Sequence, residues 1–177
     1  MAVYIFEKEE EPEDPEKRKN RNILKQRKIG KRGWSVKPYT HKVQYYETDM
    51  MGITHHANYI RWMEETRIDF MDQLGFSYSR MESDGILSPV RSVSCTYRRP
   101  STFGDMISIT VSVESFNGVL LTLKYEMRNQ DDETICEARS EHVFVNREGR
   151  IVRLKKEQPE FCQAIEAEIN NTKQEVR

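Results

Sequence analysis

The chain has 177 residues, of which 32% are charged, yet its formal net charge is only −1. A balanced charge gives no support for a partner chosen by overall charge, whether nucleic acid, a membrane surface or an acidic substrate. No apolar run approaches the roughly 18 residues of a membrane span. Three widely spaced cysteines without metal-ligand spacing predict free thiols, a cytoplasmic location, and neither a metal nor another cofactor.

The first forty positions differ in composition from the rest. Residues 7–16 are mostly acidic, and residues 17–37 contain ten bases and no acid. Neither stretch can bury much apolar surface, so residues 1–38 are predicted to be a charged, flexible extension and residues 39–177 the folded domain. A basic arm that touches nucleic acid or an anionic surface is the alternative.

The next stretch combines a strand, a carboxylate and a helix. Residues 43–47 are predicted to form a short strand that leads into Asp49. Gly52 then allows a tight turn with positive φ. A helix is predicted from residue 57 or 58 to Gly75, which suits the position after a helix end. One side of it is apolar, which predicts a core-facing stripe: Tyr59, Trp62, Met63, Thr66, Phe70 and Leu74.

Four later segments alternate apolar and polar residues with period two, which predicts strands with one buried face: residues 92–97, 107–113, 119–127 and 136–144. Asn117–Gly118 predicts a hairpin turn. Residues 151–154 are predicted to extend the sheet, and a terminal helix is predicted from Pro159 to about Asn170. Strand, long helix and antiparallel meander together predict an α+β fold in which a curved sheet wraps the helix.

The candidate chemistry lies at Asp49 and the helix start. Free N–H groups and the positive dipole end of a helix suit developing negative charge, so a carboxylate nearby forms a plausible hydrolytic pair with them. Asp49 as a simple turn cap is the alternative. His41 and His142 are isolated in the sequence, and His142 is predicted to be packed or at an interface.

Three motifs carry a family resemblance: Tyr46-x-x-Asp49-x-x-Gly52, His56-Ala57-Asn58-Tyr59 and Trp62-x-Glu64. Together they resemble the opening motif of hot-dog-fold acyl-CoA thioesterases, in the branch of bacterial 4-hydroxybenzoyl-CoA thioesterase. The likeness runs from about residue 41 to about residue 168, and its later part rests on element order and on Pro100-x-x-x-Gly104-Asp105.

This resemblance implies a hot-dog fold and an acyl-CoA thioester hydrolase. It implies that Asp49 acts as nucleophile or general base and that the backbone N–H at His56 polarises the thioester carbonyl. The His56 side chain is a second catalytic candidate, and the substrate-binding candidates are Gly52, Asn58 and Tyr59. Glu64 is named because another branch takes its carboxylate from the helix, and Glu47 is expected to be structural or at the pocket edge.

The family's coenzyme A contacts are not all matched. The turn at residues 115–119 lacks Arg and Lys, so Arg91, Arg98 and Arg99 are the substitutes by charge. Two alternatives follow: a thioesterase acting on acyl carrier protein, and a non-catalytic module that senses acyl-CoA.

The resemblance also implies a homodimer or homotetramer whose sites are completed by the partner chain. Residues 119–121 are apolar on both faces of their strand, and they are predicted to be a sheet edge that needs covering.

Overall fold

A computed structural model describes residues 36–175 of the chain, with side chains to residue 171. The predicted flexible arm lies almost wholly outside the described residues, so it and the boundary at residue 38 stay predictions. In the part that is described, no helix is long and apolar enough to cross a membrane.

Five strands and four helices make up the described chain. The strands are β1 (Tyr39–Lys42), β2 (Val90–Tyr97), β3 (Met106–Phe116), β4 (Leu120–Arg128) and β5 (Thr134–Val143). The helices are α1 (His56–Leu74), α2 (Tyr78–Ser83), α3 (Leu154–Glu157) and α4 (Pro159–Glu175), and a 3-10 turn covers Tyr45–Glu47. The α+β prediction is confirmed, as is the order of long helix and meander.

The strands form one antiparallel sheet in the order β1-β3-β4-β5-β2. The prediction that residues 119–121 form a sheet edge is wrong, because β4 lies at the centre and pairs with β3 and β5. Both of its backbone edges are therefore hydrogen-bonded, and neither is open. The open edges belong to β1 and β2, and β2 is the longer of the two.

Helix α1 packs its predicted stripe into the core of the sheet. All six stripe residues are buried, and so are the alternate residues of β3 and β4 that face them. Gly75 ends the helix with φ 82°, and the Phe76 amide donates back to the Met71 carbonyl at 2.9 Å. The predicted position of Gly75 after the helix end is confirmed, and its left-handed conformation is the reason that glycine suits it.

Three local predictions are wrong. Residues 43–47 form no strand, because β1 ends at Lys42 and Glu47 caps a 3-10 turn by accepting from the Gln44 amide at 2.7 Å. Strand β2 has no buried face, because it stands at the sheet edge and nearly all its residues are exposed. Ile151 makes only an isolated bridge to Val145, and α3 begins at Leu154.

Candidate active site

A tight turn holds the Asp49 carboxylate. The Gly52 amide donates to the Asp49 carbonyl at 2.9 Å, and Gly52 has φ 75°, the conformation predicted for it. The Met51 amide donates to Asp49 Oδ1 at 2.8 Å. No described residue donates to Oδ2. Asp49 therefore caps the turn with one oxygen and keeps the other for a ligand or a water.

The start of α1 lies directly after this turn. His55 is the N-cap, and its Nδ1 accepts from the Ala57 amide at 3.3 Å. The amides of His55 and Asn58 donate to the carbonyls of Glu47 and His55. Among the described residues, no acceptor is found for the amide of His56. This free N–H at the positive end of a 19-residue helix can receive a developing oxyanion.

One cavity of about 430 Å³ brings the two features together. Its walls include three predicted site residues, Asp49, His56 and Tyr59. The predicted residues Gly52 and Asn58 are not among its lining residues. Gly52 shapes the turn, while Asn58 is buried and donates through Nδ2 to the Glu47 carbonyl at 2.7 Å. A cavity of about 500 Å³ beside α3 has none of the predicted site residues in its lining.

Tyr59 forms a buried wall of this cavity. Its hydroxyl is 3.0 Å from Ser101 Oγ, which donates to Thr54 Oγ1 at 2.8 Å. Burial raises the pKa of Tyr59 above its ordinary value, so the phenol stays protonated at neutral pH. Tyr59 therefore shapes the site and does not act as its base.

Sequence reasoning missed Tyr97 as part of the site. Tyr97 ends β2, lines the cavity and donates its hydroxyl to the His56 carbonyl at 3.2 Å. The basic pair after it, Arg98 and Arg99, also lines the cavity. These guanidinium groups form exposed ion pairs with Glu137 at 2.6 Å and Glu133 at 3.4 Å. Arg91, the third substitute, is paired elsewhere with Glu141.

Glu47 is a buried carboxylate that stabilises the turn before Asp49. Its carboxylate is 4% exposed and accepts from Trp62 Nε1 at 2.8 Å and from the Gln44 amide. His41 Nε2 lies 2.9 Å from this carboxylate. The expectation that His41 is isolated is therefore wrong. Burial alone would raise the pKa of Glu47, but these hydrogen bonds outweigh it and lower the pKa below its ordinary value. The residue is structural, as expected.

The helix carboxylate Glu64 lies apart from Asp49. Both of its oxygens contact Arg67 Nη2, at 2.7 and 2.8 Å, and it borders a different, smaller cavity. Buried His142 lines the same small cavity, which agrees with the packed position predicted for it. Across the described residues, no group of three or more His, Cys, Asp or Glu side chains could hold a metal ion.

Comparisons with known proteins identify the family of this chain. The family model described as "Thioesterase-like superfamily" matches residues 43–167. YneP of Bacillus subtilis, which has a provisional acyl-CoA thioesterase name, is 36% identical over 71% of this chain and 91% of its own. The acyl-CoA thioester hydrolase YbgC of Escherichia coli O157:H7 is 26% identical over 59% of this chain and 75% of its own. The structure of a DHNA-CoA thioesterase from Staphylococcus aureus has a TM-score of 0.74 and 27% identity, covering 80% of this chain and 95% of that one.

Proposed function

The chain belongs to the thioesterase-like superfamily, and from this premise we propose that it hydrolyses acyl-CoA thioesters to a free carboxylic acid and coenzyme A. The observation that supports the proposal most is one cavity lined by both Asp49 and His56, the residue at the start of α1. A thioester needs one activated oxygen and one oxyanion site, since its thiolate leaves readily. The similar proteins do not single out the 4-hydroxybenzoyl-CoA branch or any other branch of the family.

In the proposed mechanism the substrate carbonyl oxygen lies at the His56 amide. Asp49 Oδ2 either attacks the carbonyl carbon or takes a proton from a water that attacks it. The carbonyl electrons move to the oxygen, and the helix N-terminus stabilises the resulting charge. When the carbonyl re-forms, the carbon–sulfur bond breaks and coenzyme A leaves as thiolate. If Asp49 is the nucleophile, water then hydrolyses the anhydride and releases the acid.

The His56 side chain has a secondary role in this proposal. Its ring is exposed and lies 4.1 Å from the His55 ring, at the cavity wall. From that position it can orient the thioester or exchange a proton with solvent.

The proposed activity has a direct test: purified protein is incubated with short, long and aromatic acyl-CoAs and a thiol reagent. Absence of released thiol from every substrate would refute hydrolysis, and binding without release would favour the sensing module.

Arg98 and Arg99 are proposed to bind the phosphates of coenzyme A. Their present ion pairs are solvent-exposed and weak, so phosphates can displace the carboxylates. We expect the double variant Arg98→Gln/Arg99→Gln to raise KM for an acyl-CoA about 10-fold with little change in kcat. Steady-state kinetics on acyl-CoA and on the same acyl pantetheine thioester, which lacks the nucleotide, measures this effect.

The pantetheine thioester should be hydrolysed equally by both proteins. Arg150→Gln is the matched control, because Arg150 is exposed and is not among the cavity residues. An unchanged KM for acyl-CoA in the double variant would contradict the assignment. If the wild type also preferred acyl carrier protein thioesters, the carrier-protein alternative would replace coenzyme A as the donor.

We further propose that the chain works as a homodimer or homotetramer in which β2 meets the partner. Its exposed apolar residues include Val90, Val93 and Tyr97, which are 51%, 40% and 45% exposed. Ile60 and Ile68 of α1 are also exposed. A long apolar strand with an open edge favours pairing with another strand. Since Tyr97 also lines the Asp49 cavity, the partner would then lie against the catalytic site.

Val93→Lys is expected to shift the protein toward monomer, because a charge would have to be buried at the paired edge. Light scattering and sedimentation at micromolar concentration measure the assembly. Thr110→Lys is the control, since Thr110 is exposed on the inner strand β3. A wild-type monomer with full activity would contradict the shared site.

A further inference from the structure

Asn58 connects the two parts of the candidate active site through one buried hydrogen bond. It lies in the first turn of α1, two residues after His56, and its Nδ2 donates to the Glu47 carbonyl at 2.7 Å. Glu47 itself lies two residues before Asp49. This bond therefore joins the segment that leads into the catalytic carboxylate to the helix start that carries the proposed oxyanion donor. Asn58 is 5% exposed and is not among the residues that line the cavity, so it is not placed to touch the substrate.

The direction of this hydrogen bond is determined at both ends of the Asn58 amide. A backbone carbonyl can only accept, so the amide nitrogen must face Glu47. A guanidinium can only donate, and Arg61 Nη1 donates to Asn58 Oδ1 at 3.2 Å. The opposite orientation would set acceptor against acceptor at Glu47 and donor against donor at Arg61. One orientation therefore satisfies both neighbours, and an alanine at this position could not donate to Glu47.

The Glu47 carbonyl has a second donor, which separates positioning from folding. The His55 amide donates to the same oxygen at 2.8 Å. If the Asn58 side chain is removed, the carbonyl keeps this hydrogen bond, so this acceptor is not left without a partner. The loop also keeps its backbone bridge between Thr48 and Thr54. Loss of Asn58 should therefore loosen the first turn of α1 while the rest of the domain stays folded.

A second bond from α1 shows which part of the helix depends on Asn58. Trp62 Nε1 donates to Glu47 Oε1 at 2.8 Å, four residues after Asn58 and so on the same helix face. Trp62 fixes the second turn of α1 and Asn58 fixes the first, which contains His56. A displacement of about 1 Å at a reacting group can lower a rate about 100-fold. The first turn is therefore the part of α1 where one hydrogen bond has the largest effect on catalysis.

We propose that Asn58 is a positioning residue for thioester hydrolysis, which holds the His56 amide at a fixed distance from the Asp49 carboxylate. This inference rests on the proposed function, and it replaces the substrate contact that the family resemblance implied for Asn58. The charge that the His56 amide stabilises develops only as the thioester carbonyl is attacked. The effect of Asn58 therefore falls on kcat, while KM for the acyl-CoA is unchanged.

The first test compares Asn58→Ala with the matched control Thr66→Val. Thr66 is 1% exposed, and its hydroxyl donates to the Trp62 carbonyl at 2.7 Å, further along α1. Each change therefore removes one buried donor from the same helix. We expect Asn58→Ala to lower kcat for acyl-CoA hydrolysis about 10- to 100-fold with KM unchanged, and Thr66→Val to keep the wild-type kcat.

Three outcomes of this comparison would overturn the proposal. The first is a wild-type kcat in Asn58→Ala, and the second is an equal loss of kcat in the two variants at similar urea midpoints. If Asn58→Ala failed to fold, Asn58 would be structural and the proposal would be overturned as well.

Infrared spectroscopy of a bound analogue measures the position of the His56 amide without catalysis. The methylene ketone analogues of hexanoyl- and benzoyl-CoA keep the carbonyl, here labelled with carbon-13, but have no cleavable carbon–sulfur bond. We expect binding to the wild type and to Thr66→Val to lower the carbonyl stretching frequency, because the amide donates to the oxygen. Binding to Asn58→Ala should lower the frequency less, and an equal shift in all three proteins would refute the positioning role.

The two measurements separate this inference from the proposed function. If the wild type released no thiol from any acyl-CoA but the frequency shift depended on Asn58, hydrolysis would be refuted and the positioning of the His56 amide retained. If the wild type hydrolysed acyl-CoA and Asn58→Ala did so with the same kcat, hydrolysis would be retained and positioning by Asn58 refuted.

Discussion

Asp49→Asn is expected to lower kcat for acyl-CoA hydrolysis by about 100-fold or more, because an amide neither attacks a thioester nor accepts a proton from water. The turn should survive the change. The amide oxygen of Asn can still accept from the Met51 amide, which now donates to Oδ1 at 2.8 Å. KM should change little, since the cavity keeps its shape. Stopped thiol-release assays at saturating substrate measure kcat.

Asp131→Asn is the matched control, because Asp131 lies exposed in the β4–β5 turn, away from the cavity. Its kcat should equal that of the wild type, and both variants should melt within a degree or two of it. If Asp49→Asn kept the full rate, Asp49 would be only a turn cap, and the helix carboxylate Glu64 would become the next candidate.

Glu47→Ala is expected to lower the free energy of unfolding by roughly 3–5 kcal/mol. The carboxylate accepts hydrogen bonds from Trp62 Nε1 and the Gln44 amide and contacts His41 Nε2, all at 2.7–2.9 Å. Its loss leaves buried donors unpaired. The turn before Asp49 should loosen with it, so activity falls as well. Urea unfolding followed by Trp fluorescence measures the change.

Glu65→Ala is the control from the same cluster. Its side chain is 46% exposed and contacts His41 Nδ1 at 3.4 Å, so its removal should cost less than about 1 kcal/mol. Equal losses for the two variants would show that burial of Glu47 is unimportant.

The lowered pKa of Glu47 predicts that the free energy of unfolding depends on pH. Because the folded state lowers the pKa of Glu47 below its ordinary 4.5, the stability it contributes is present above that pH and is lost as the pH falls through the folded value. Glu47→Gln should therefore lose less stability than the wild type on acidification from pH 5 to 3. Parallel slopes of unfolding free energy against pH for the two proteins would contradict this assignment.

Local chemistry explains why part of the site was predictable. Asp49, Gly52 and the start of α1 lie within eight residues, so the turn and the helix dipole are properties of one short segment. The motif resemblance then implied the role of Asp49, which stays a prediction. The placement of Asn58 could not be predicted, because its burial depends on the Glu47 carbonyl beside it, and that carbonyl is presented by a 3-10 turn where a strand was expected.

The amino-acid sequence alone determined the elements whose signals are local. The period of the apolar stripe specifies α1, Gly75 ends it, and Asn117–Gly118 joins β3 to β4. These depend on backbone preferences and on contacts a few residues apart, and they are readable without the fold. Alternation likewise specified which residues of β3, β4 and β5 face the core.

Only the tertiary structure decided which strands are central and which are exposed. Strand β2 reads like a half-buried strand, but it pairs with β5 alone, about forty residues away in sequence, and so stands at the edge. Arg67 and His142 are 75 positions apart, and only the tertiary structure brings them to the lining of one cavity. Such placements follow from long-range pairing, whose energy comes from packing between elements and leaves no periodic signal in either segment.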